Sequence, residues 1–337
     1  MNVVGGIDRR KALMRKLLAA DSAAPAPARP TAILRRSDEG PAPLSFSQQR
    51  FWFLDRLAPG SPFYIESSAL PLPAGTIDPD ILEQAVNMVV ARHDLLRTRF
   101  EEQGDGAVQV VLPDMHVPLE VTDLGHLDQG DRAARTAQLL HNIASHPFDL
   151  SAPPLLRFHL IRGTDEGEIF AMAVHHIISD GWSMRLLSRE TSEAARALMT
   201  GQPFDPPPLP IQYADYAAWQ QETLARDDDP DLAYWLSHLA DLPGLTLPLD
   251  HPRPRVLGFE GAHIDRDMPA NVSAGAQVLA KREGATQFMV TLAAFAAVLA
   301  RHSGQDEVVI GTPVAGRSRS EVEPLIGLFL NTVVLRI

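Results

Sequence analysis

Residues 173–183, Ala-Val-His-His-Ile-Ile-Ser-Asp-Gly-Trp-Ser, set two imidazoles side by side and follow them with a carboxylate and a glycine. Imidazole exchanges a proton near neutral pH, so a histidine at the open end of an apolar segment has the chemistry of a general acid, a general base or a metal ligand. Residues 169–176 read as a strand. Alternation then puts Phe170, Met172, Val174 and His176 on one face and Ile169, Ala171, Ala173 and His175 on the other. Imidazoles pointing apart do not close on one ion, which argues against a metal site made of both histidines and Asp180. At most one histidine faces a reactant directly. His176, at the mouth of the strand, is the candidate to accept or position a proton, with Asp180 organising the loop. Gly181 lets the chain turn sharply and brings a backbone N–H close. Taken alone, a histidine after an apolar strand is more often a satisfied core residue than a catalyst.

The neighbouring stretches supply the elements that would hold this loop. Residues 155–163 and 168–176 are apolar runs separated by Thr164, Asp165, Glu166 and Gly167, which reads as a hairpin. After the loop, Met184, Leu187, Thr191, Ala195 and Leu198 recur at helical spacing. Earlier in the chain, Asp78 can cap a helix with Pro79 at its first position and Ile81, Leu82, Ala85, Val86, Val89 and Val90 as its apolar stripe. A further helix over residues 287–304 is followed by a strand over residues 307–314. Residues 1–20 read as an amphipathic helix with Ile7, Leu13, Leu17 and Leu18 near one face, either packed on the body as a basic lead-in or free to dock. Residues 21–43 read as an Ala/Pro-rich linker, so the folded body is expected to begin near Leu44.

Composition narrows the function classes. The 337 residues, 45% of them hydrophobic, can bury a sizeable core in one large domain or two. A net charge of -12 without a basic block argues against nucleic acid as partner. The absence of cysteine excludes disulfides, zinc-thiolate sites and thiol nucleophiles. No apolar run approaches the roughly 18–20 residues of a membrane span, and the start lacks a signal-peptide layout, so no membrane partner and a cytoplasmic location are expected. The alternation of helical and strand patterns places the fold in the α/β (α+β) class.

The stretch His-His-Ile-Ile-Ser-Asp-Gly, residues 175–181, resembles the His-His-x-x-x-Asp-Gly signature of the condensation domains of nonribosomal peptide synthetases, in the chloramphenicol acetyltransferase-like superfamily. Four other stretches agree in order: residues 44–57 (LSFSQQRFWFLDRL), 91–100 (ARHDLLRTRF), 213–219 (YADYAAW) and 310–336 (IGTPVAGRSRSEVEPLIGLFLNTVVLR). The resemblance covers about residues 44–337. It implies two chloramphenicol acetyltransferase-like lobes forming a V with a central tunnel, the first over residues 44–222 with the histidine motif and the second over residues 223–337. Family members continue past the last motif, so the resemblance implies a truncated second lobe, and a fragment of a longer synthetase is the expected cause. The start at Met1, with only a short helix and linker ahead of the body, favours an initiating or docking position in an assembly line.

The activity implied is amide formation between an acyl or peptidyl thioester on an upstream carrier protein and the amine of an aminoacyl thioester on a downstream one. The partners implied are these two peptidyl carrier proteins and further domains such as adenylation domains. The 4′-phosphopantetheine arms belong to the carriers, and no cofactor or metal is expected on the domain itself. His176 is implied as general base or amine-positioning group, and His175 as support for the loop. The Gly181 N–H is implied to stabilise the thioester oxygen, although a tight turn explains that glycine equally well. Asp180 is implied to be structural and paired with Arg92, and Arg97 to form an internal ion pair. Trp182, Ser183, Arg317 and Asn331 are candidates to line or bridge the tunnel. Gln49, Phe51, Trp52 and Leu54 are expected to pack a helix beneath the site, and Tyr213, Asp215, Tyr216 and Trp219 to be structural near the lobe junction.

Related domains are separated by single positions. Epimerisation domains tend to carry Trp after the motif's serine, whereas Met184 follows Ser183, and heterocyclisation domains replace the first histidine with Asp, against His175. The closest likeness is to condensation domains taking an L-configured donor, with a fatty-acyl starter type left open. A carrier-recruiting platform without activity and a free-standing acyl-CoA-dependent acyltransferase are the alternatives.

Overall fold

The computed structural model describes residues 32–38, 40–104, 106–224, 230–252, 255 and 264–337. Its first half runs β1 (Ala42–Pro43), α1 (Phe46–Leu57), β2 (Ile65–Leu72), α2 (Pro79–Arg92), β3 (Thr98–Gln103), β4 (Gly106–Val111), β5 (Leu119–Asp123), α3 (Gln129–Ser145), β6 (Leu156–Thr164), β7 (Gly167–His175) and α4 (Gly181–Thr200). Then follow α5 (Tyr213–Leu224), α6 (Pro230–His238), α7 (Ala270–Glu283), α8 (Gln287–Ser303), β8 (Val309–Val314) and β9 (Asn331–Arg336).

The expected hairpin, β6 with β7, is the centre of a sheet ordered β2–β7–β6–β5, antiparallel except where β5 runs parallel to β6. From Phe170 to His175, β7 is buried without interruption. Both faces are covered, and a strand buried on both faces reads as a continuous apolar run rather than an alternating one. On one face Ala171 and Ala173 meet Ile143 of α3 together with Ile65 and Phe148; on the other Met172 and Val174 enter the main core. That division is what sends neighbouring histidines in opposite directions.

Two helices close over the main core. Asp78 accepts a hydrogen bond from Asp80 N–H at the head of α2, whose buried residues are Leu82, Ala85, Val86, Val89 and Val90. Ile81, expected in the same stripe, is only partly buried. Helix α4 is capped by Asp180 and ends at Gly201, in the left-handed region at φ 66°. It packs on α2 through Ala85, Ala194 and Ala195. Helix α8 and strand β8 also form where the sequence places them.

Two boundaries differ from the sequence reading. The expected N-terminal helix over residues 1–20, and residues 21–31 of the expected linker, lie outside the described residues. The described part of that linker is packed: Ile33 is 5% exposed in the main core, β1 pairs with β4, and Arg36 N–H donates to Asp215 at 2.9 Å. Sparse apolar residues among prolines had hidden this. At the other end, Val322, Leu325, Ile326, Leu328 and Phe329 are buried in the core of the first lobe, although their sequence position assigns them to the second. The segment between β8 and β9 therefore crosses back to the histidine-bearing lobe. On either side of this segment β8 and β9 form a two-stranded sheet, and Val278, Phe288, Phe295 and Val298 on α7 and α8 are exposed. No single described helix is long and apolar enough to cross a membrane; only α7 and α8 together pass on length and composition, and they are bent by 108°.

The crossing segment turns at Gly316, where φ is +65° and a Cβ would overlap the Phe329 carbonyl. Gly316→Ala is therefore expected to cost more than about 1 kcal/mol. Gly275→Ala, inside α7 with open space around it, should instead stabilise by up to about 1 kcal/mol. Denaturant unfolding of both variants checks the contrast.

Candidate active site

Strand β7 ends at His175, and His176–Ile178 form a single 3₁₀ turn before the cap of α4. His175 is 2% exposed, accepts the Ile177 N–H on Nδ1 at 3.0 Å and meets the edge of Phe148. Burial, helped by the neighbouring His176, pulls its pKa down to about 4, so at neutral pH it is an uncharged brace for the turn. His176 lies on the opposite side, 5.1 Å from the Phe51 ring. Its Nδ1 is 2.7 Å from the Ser179 carbonyl oxygen. A carbonyl only accepts, so Nδ1 carries a proton, and in the neutral ring the lone pair is then on Nε2. The loop thus sets the tautomer, and the basic nitrogen is the one that points away from the backbone. The two rings separate as alternation predicts, although the strand stops one residue earlier.

A buried polar network fastens this loop to the crossing segment. Asp180 Oδ1 accepts from the Ser183 N–H at 2.8 Å and from Arg317 Nη2 at 3.2 Å, and Oδ2 accepts from the Phe329 N–H at 3.1 Å. Ser183 Oγ accepts from Arg317 Nη2 at 2.8 Å and from the Gly327 N–H at 2.9 Å, and its own proton has Asp180 Oδ1 and the Gly327 carbonyl within 2.8 Å. Arg317 Nη1 donates to the carbonyls of Val322 and Leu325 at 2.6 and 2.7 Å, and its guanidinium stacks 4.1 Å over Phe329. Both side chains of the Asp180–Arg317 pair are 2% exposed. Burial works against the guanidinium's charge, lowering its pKa, and Asp180 opposes that shift.

This corrects the expected partner of Asp180. Arg92 ends α2 and reaches Glu190 of α4 at 3.2 Å and the Pro207 carbonyl at 2.7 Å. Glu190 also accepts from His93 Nε2 at 2.9 Å. Burial opposes the Glu190 charge, but His93 and Arg92 outweigh it and hold the carboxyl below the usual range. The fold brings Arg317 to Asp180 across 137 residues, a pairing that sequence adjacency could not suggest. Arg97 does form the expected internal ion pair, with Asp94.

Other expectations divide. Gly181 is exposed and does not lie in the left-handed region, so the turn does not require glycine; a Cβ there would sit 3.6 Å from Glu66 Oε1, an ordinary contact. Trp182 donates from Nε1 to the Glu323 carbonyl of the crossing segment at 3.1 Å. Arg317 and Ser183 also tie the loop to the crossing segment, but from inside a packed network. Asn331 starts β9 beside a cleft of about 360 Å³ that it shares with Phe46, Arg50, Trp219 and Gly316, and neither histidine lines that cleft. Beneath the site Phe51 packs as expected, Trp52 and Leu54 are half-buried, and Gln49 is exposed. The buried glutamine is Gln48: it completes a capping box with Ser45 and donates to the Ile177 carbonyl at 3.3 Å. The Ser-x-x-Gln spacing was the signal for it. Tyr213 is structural, donating to the Leu328 carbonyl at 2.6 Å while burial raises its pKa and keeps the phenol protonated. Glu66 of β2, absent from the sequence reading, also reaches the loop. Among the described residues no group of three or more His, Asp or Glu side chains is placed to hold a metal.

The buried pair predicts a specific coupling. Asp180→Ala and Arg317→Leu should each cost about 3–5 kcal/mol, and the double variant clearly less than their sum, because each single change strands a charge. Asp180→Ala combined with Arg92→Ala should instead be additive within about 0.5 kcal/mol. Urea unfolding of the two cycles checks this.

Comparison with known proteins agrees with this architecture. The condensation domain family matches residues 38–337. A linear gramicidin synthase polypeptide of Brevibacillus parabrevis is 44% identical over 313 residues, 92% of this chain and 6% of that protein. Phosphinothricin tripeptide synthetase PhsC of Streptomyces viridochromogenes is 42% identical over 318 residues, 94% of this chain and 29% of that protein. The chain thus spans less than a third of either relative's length. Among solved structures, the X-domain in complex with OxyB from teicoplanin biosynthesis aligns with TM-score 0.81 at 28% identity, over 93% of this chain and 68% of that one. The first condensation domain of the calcium-dependent antibiotic synthetase aligns with TM-score 0.71 at 26% identity, over 88% of this chain and 68% of that one. These likenesses bear out the mixed α/β, chloramphenicol acetyltransferase-like fold. The chain belongs to the condensation domain family of nonribosomal peptide synthetases, whose members catalyse peptide bond formation with carrier proteins that bear phosphopantetheine.

Proposed function

We propose that this chain joins an acyl or peptidyl thioester on an upstream carrier to the amine of an aminoacyl thioester on a downstream carrier, within a synthetase that also contains adenylation domains. The observation that carries this reading is the 2.7 Å contact of His176 Nδ1 with the Ser179 carbonyl, which commits that nitrogen and leaves Nε2 as the one free to meet a reactant. An amine attacks a thioester only when uncharged, and it sheds a proton as the amide forms. His176 Nε2 takes that proton, or accepts an N–H hydrogen bond that aims the nitrogen lone pair at the carbonyl carbon.

The oxygen of the thioester becomes an oxyanion during attack. The exposed N–H of Gly181, the first residue of α4, lies at the positive end of a 20-residue helix, where unpaired N–H groups favour negative charge. Asp180 fixes that helix end and does not itself react, being saturated by Ser183, Arg317 and Phe329. His175, neutral and buried, keeps the turn in shape. Thioester aminolysis transfers no electrons, so the domain is assigned no cofactor or metal of its own; the phosphopantetheine arms arrive with the carriers. A cytoplasmic setting fits carriers that are charged inside the cell.

A recruiting platform is the second reading, favoured by the alignment with the X-domain of an OxyB complex. Two loaded carriers mixed with the domain, followed by intact-protein mass spectrometry, separate the two. Wild type is expected to move the donor mass onto the downstream carrier, and His176→Ala to lose at least about 100-fold of that rate while keeping its melting temperature. Unimpaired transfer by His176→Ala removes the assignment of His176, and carrier binding without transfer supports the platform. Gly181→Ala should fold normally, since neither φ nor space forbids the methyl group, yet slow transfer by placing that group where the substrate passes.

A further inference from the structure

Glu66 faces the histidine loop, where the Ser179 hydroxyl accounts for part of its carboxylate and one oxygen is left over. In the β2–β7 register Glu66 lies opposite Val174 and Ile65 opposite His175. Ile65 packs with Ala171 and Ala173 on the α3 face, so alternation sends Glu66 to the other face, that of Val174 and, two residues on, His176. Its Oε1 lies 3.6 Å from where a Gly181 Cβ would stand. Its Oε2 is buried and has no hydrogen-bond partner among the described residues. A buried carboxylate oxygen left unpaired is costly, and sites that keep one are usually waiting for a cation or a donor. The charged or titratable groups facing it are His176 of the turn, Asp180 at the cap and Arg185 of α4. Desolvation raises the Glu66 pKa, with His176 pulling it down, Asp180 adding to the rise, and the Ser179 hydroxyl and Arg185 drawing it back by less.

The proton inventory of the proposed reaction has a place for such a group. At neutral pH an aminoacyl acceptor arrives as an ammonium with three N–H bonds, and the amide nitrogen keeps one. Two protons leave: one before the C–N bond forms, and one as the C–S bond breaks and the departing sulfur becomes a thiol. A single imidazole nitrogen holds one proton at a time.

We propose that Glu66 is the subsite for the acceptor's ammonium, receiving the cation and its first proton so that His176 Nε2 remains free for the second. The first transfer converts ammonium and carboxylate to amine and carboxylic acid, and Glu66 later returns that proton to water. The amine nitrogen then attacks the thioester carbon, and the second proton passes through His176 to the leaving sulfur. This rests on the condensation reading above.

The test compares acceptor carriers bearing a glycyl thioester with carriers bearing an aminooxyacetyl thioester, whose terminal nitrogen is uncharged at neutral pH and has no first proton to lose. With a common acyl-loaded donor carrier, Glu66→Gln should slow transfer to the glycyl acceptor about tenfold or more at pH 7 and leave the aminooxy acceptor within about twofold of wild type. The glycyl deficit should close as the pH rises past the amine's own titration. Glu66→Asp, which keeps the charge on a shorter arm, should recover part of the glycyl rate and serves as the second variant if Glu66→Gln melts early. Equal loss on both acceptors, or no loss on either, overturns the inference alone. Failure of wild type on both acceptors overturns the condensation reading and this inference with it.

Discussion

The pairing of Asp180 with Arg317 is the interaction on which the rest of the site depends. Two opposite charges, each 2% exposed, sit where the end of the central hairpin, the head of α4 and the crossing segment meet. Such a pair adds little net stability over an apolar contact, but each member is very costly without the other, so it acts as a register mark. The backbone N–H groups of Gly327 and Phe329 and the hydroxyl of Ser183 satisfy what the pair leaves over. The arrangement positions the crossing segment to within hydrogen-bond tolerance. A second tie, His93 between Glu190 and the Ile326 N–H, fixes the same segment from α2.

Chemistry is left to the side of the loop that this network does not consume. Asp180, Ser183 and Arg317 face inward and saturate one another. His176 is oriented by its own backbone through the Ser179 carbonyl, and Gly181 heads α4 with no side chain. The division separates side chains that hold the fold of the loop from those the proposed reaction would use. Adjacent histidines divide in the same way: the buried His175 is held neutral, with a pKa of about 4, by desolvation, while His176 is half-buried on the other side.

The crossing segment is also tied to α5 and, through it, to the cap of α1. Phe329 packs on Tyr213 and Tyr216, and Tyr213 in turn bonds the Leu328 carbonyl and the Ser45 hydroxyl at the cap of α1. Through Gln48 the same helix reaches the Ile177 carbonyl inside the histidine turn.

What the amino-acid order determined by itself was local. Continuous apolar runs around a short polar turn gave the β6–β7 hairpin, and strand alternation sent His175 and His176 apart; a 3.6-residue period with Asp78 and Pro79 gave α2; and the motif spacing singled out His176, Asp180 and Gly181. These depend on neighbours within a few residues, where backbone geometry and side-chain alternation leave few choices. Tertiary structure decided the partners. Arg317 rather than Arg92 meets Asp180, Glu66 of β2 faces the histidine loop, Gln48 rather than Gln49 is buried, and Val322, Leu325, Ile326, Leu328 and Phe329 belong to the main core that the histidine strand enters. Charge pairing and burial are satisfied by whichever groups the folded chain brings within a few ångströms, and that distance is set by the packing of the whole core, to which no short window of sequence has access.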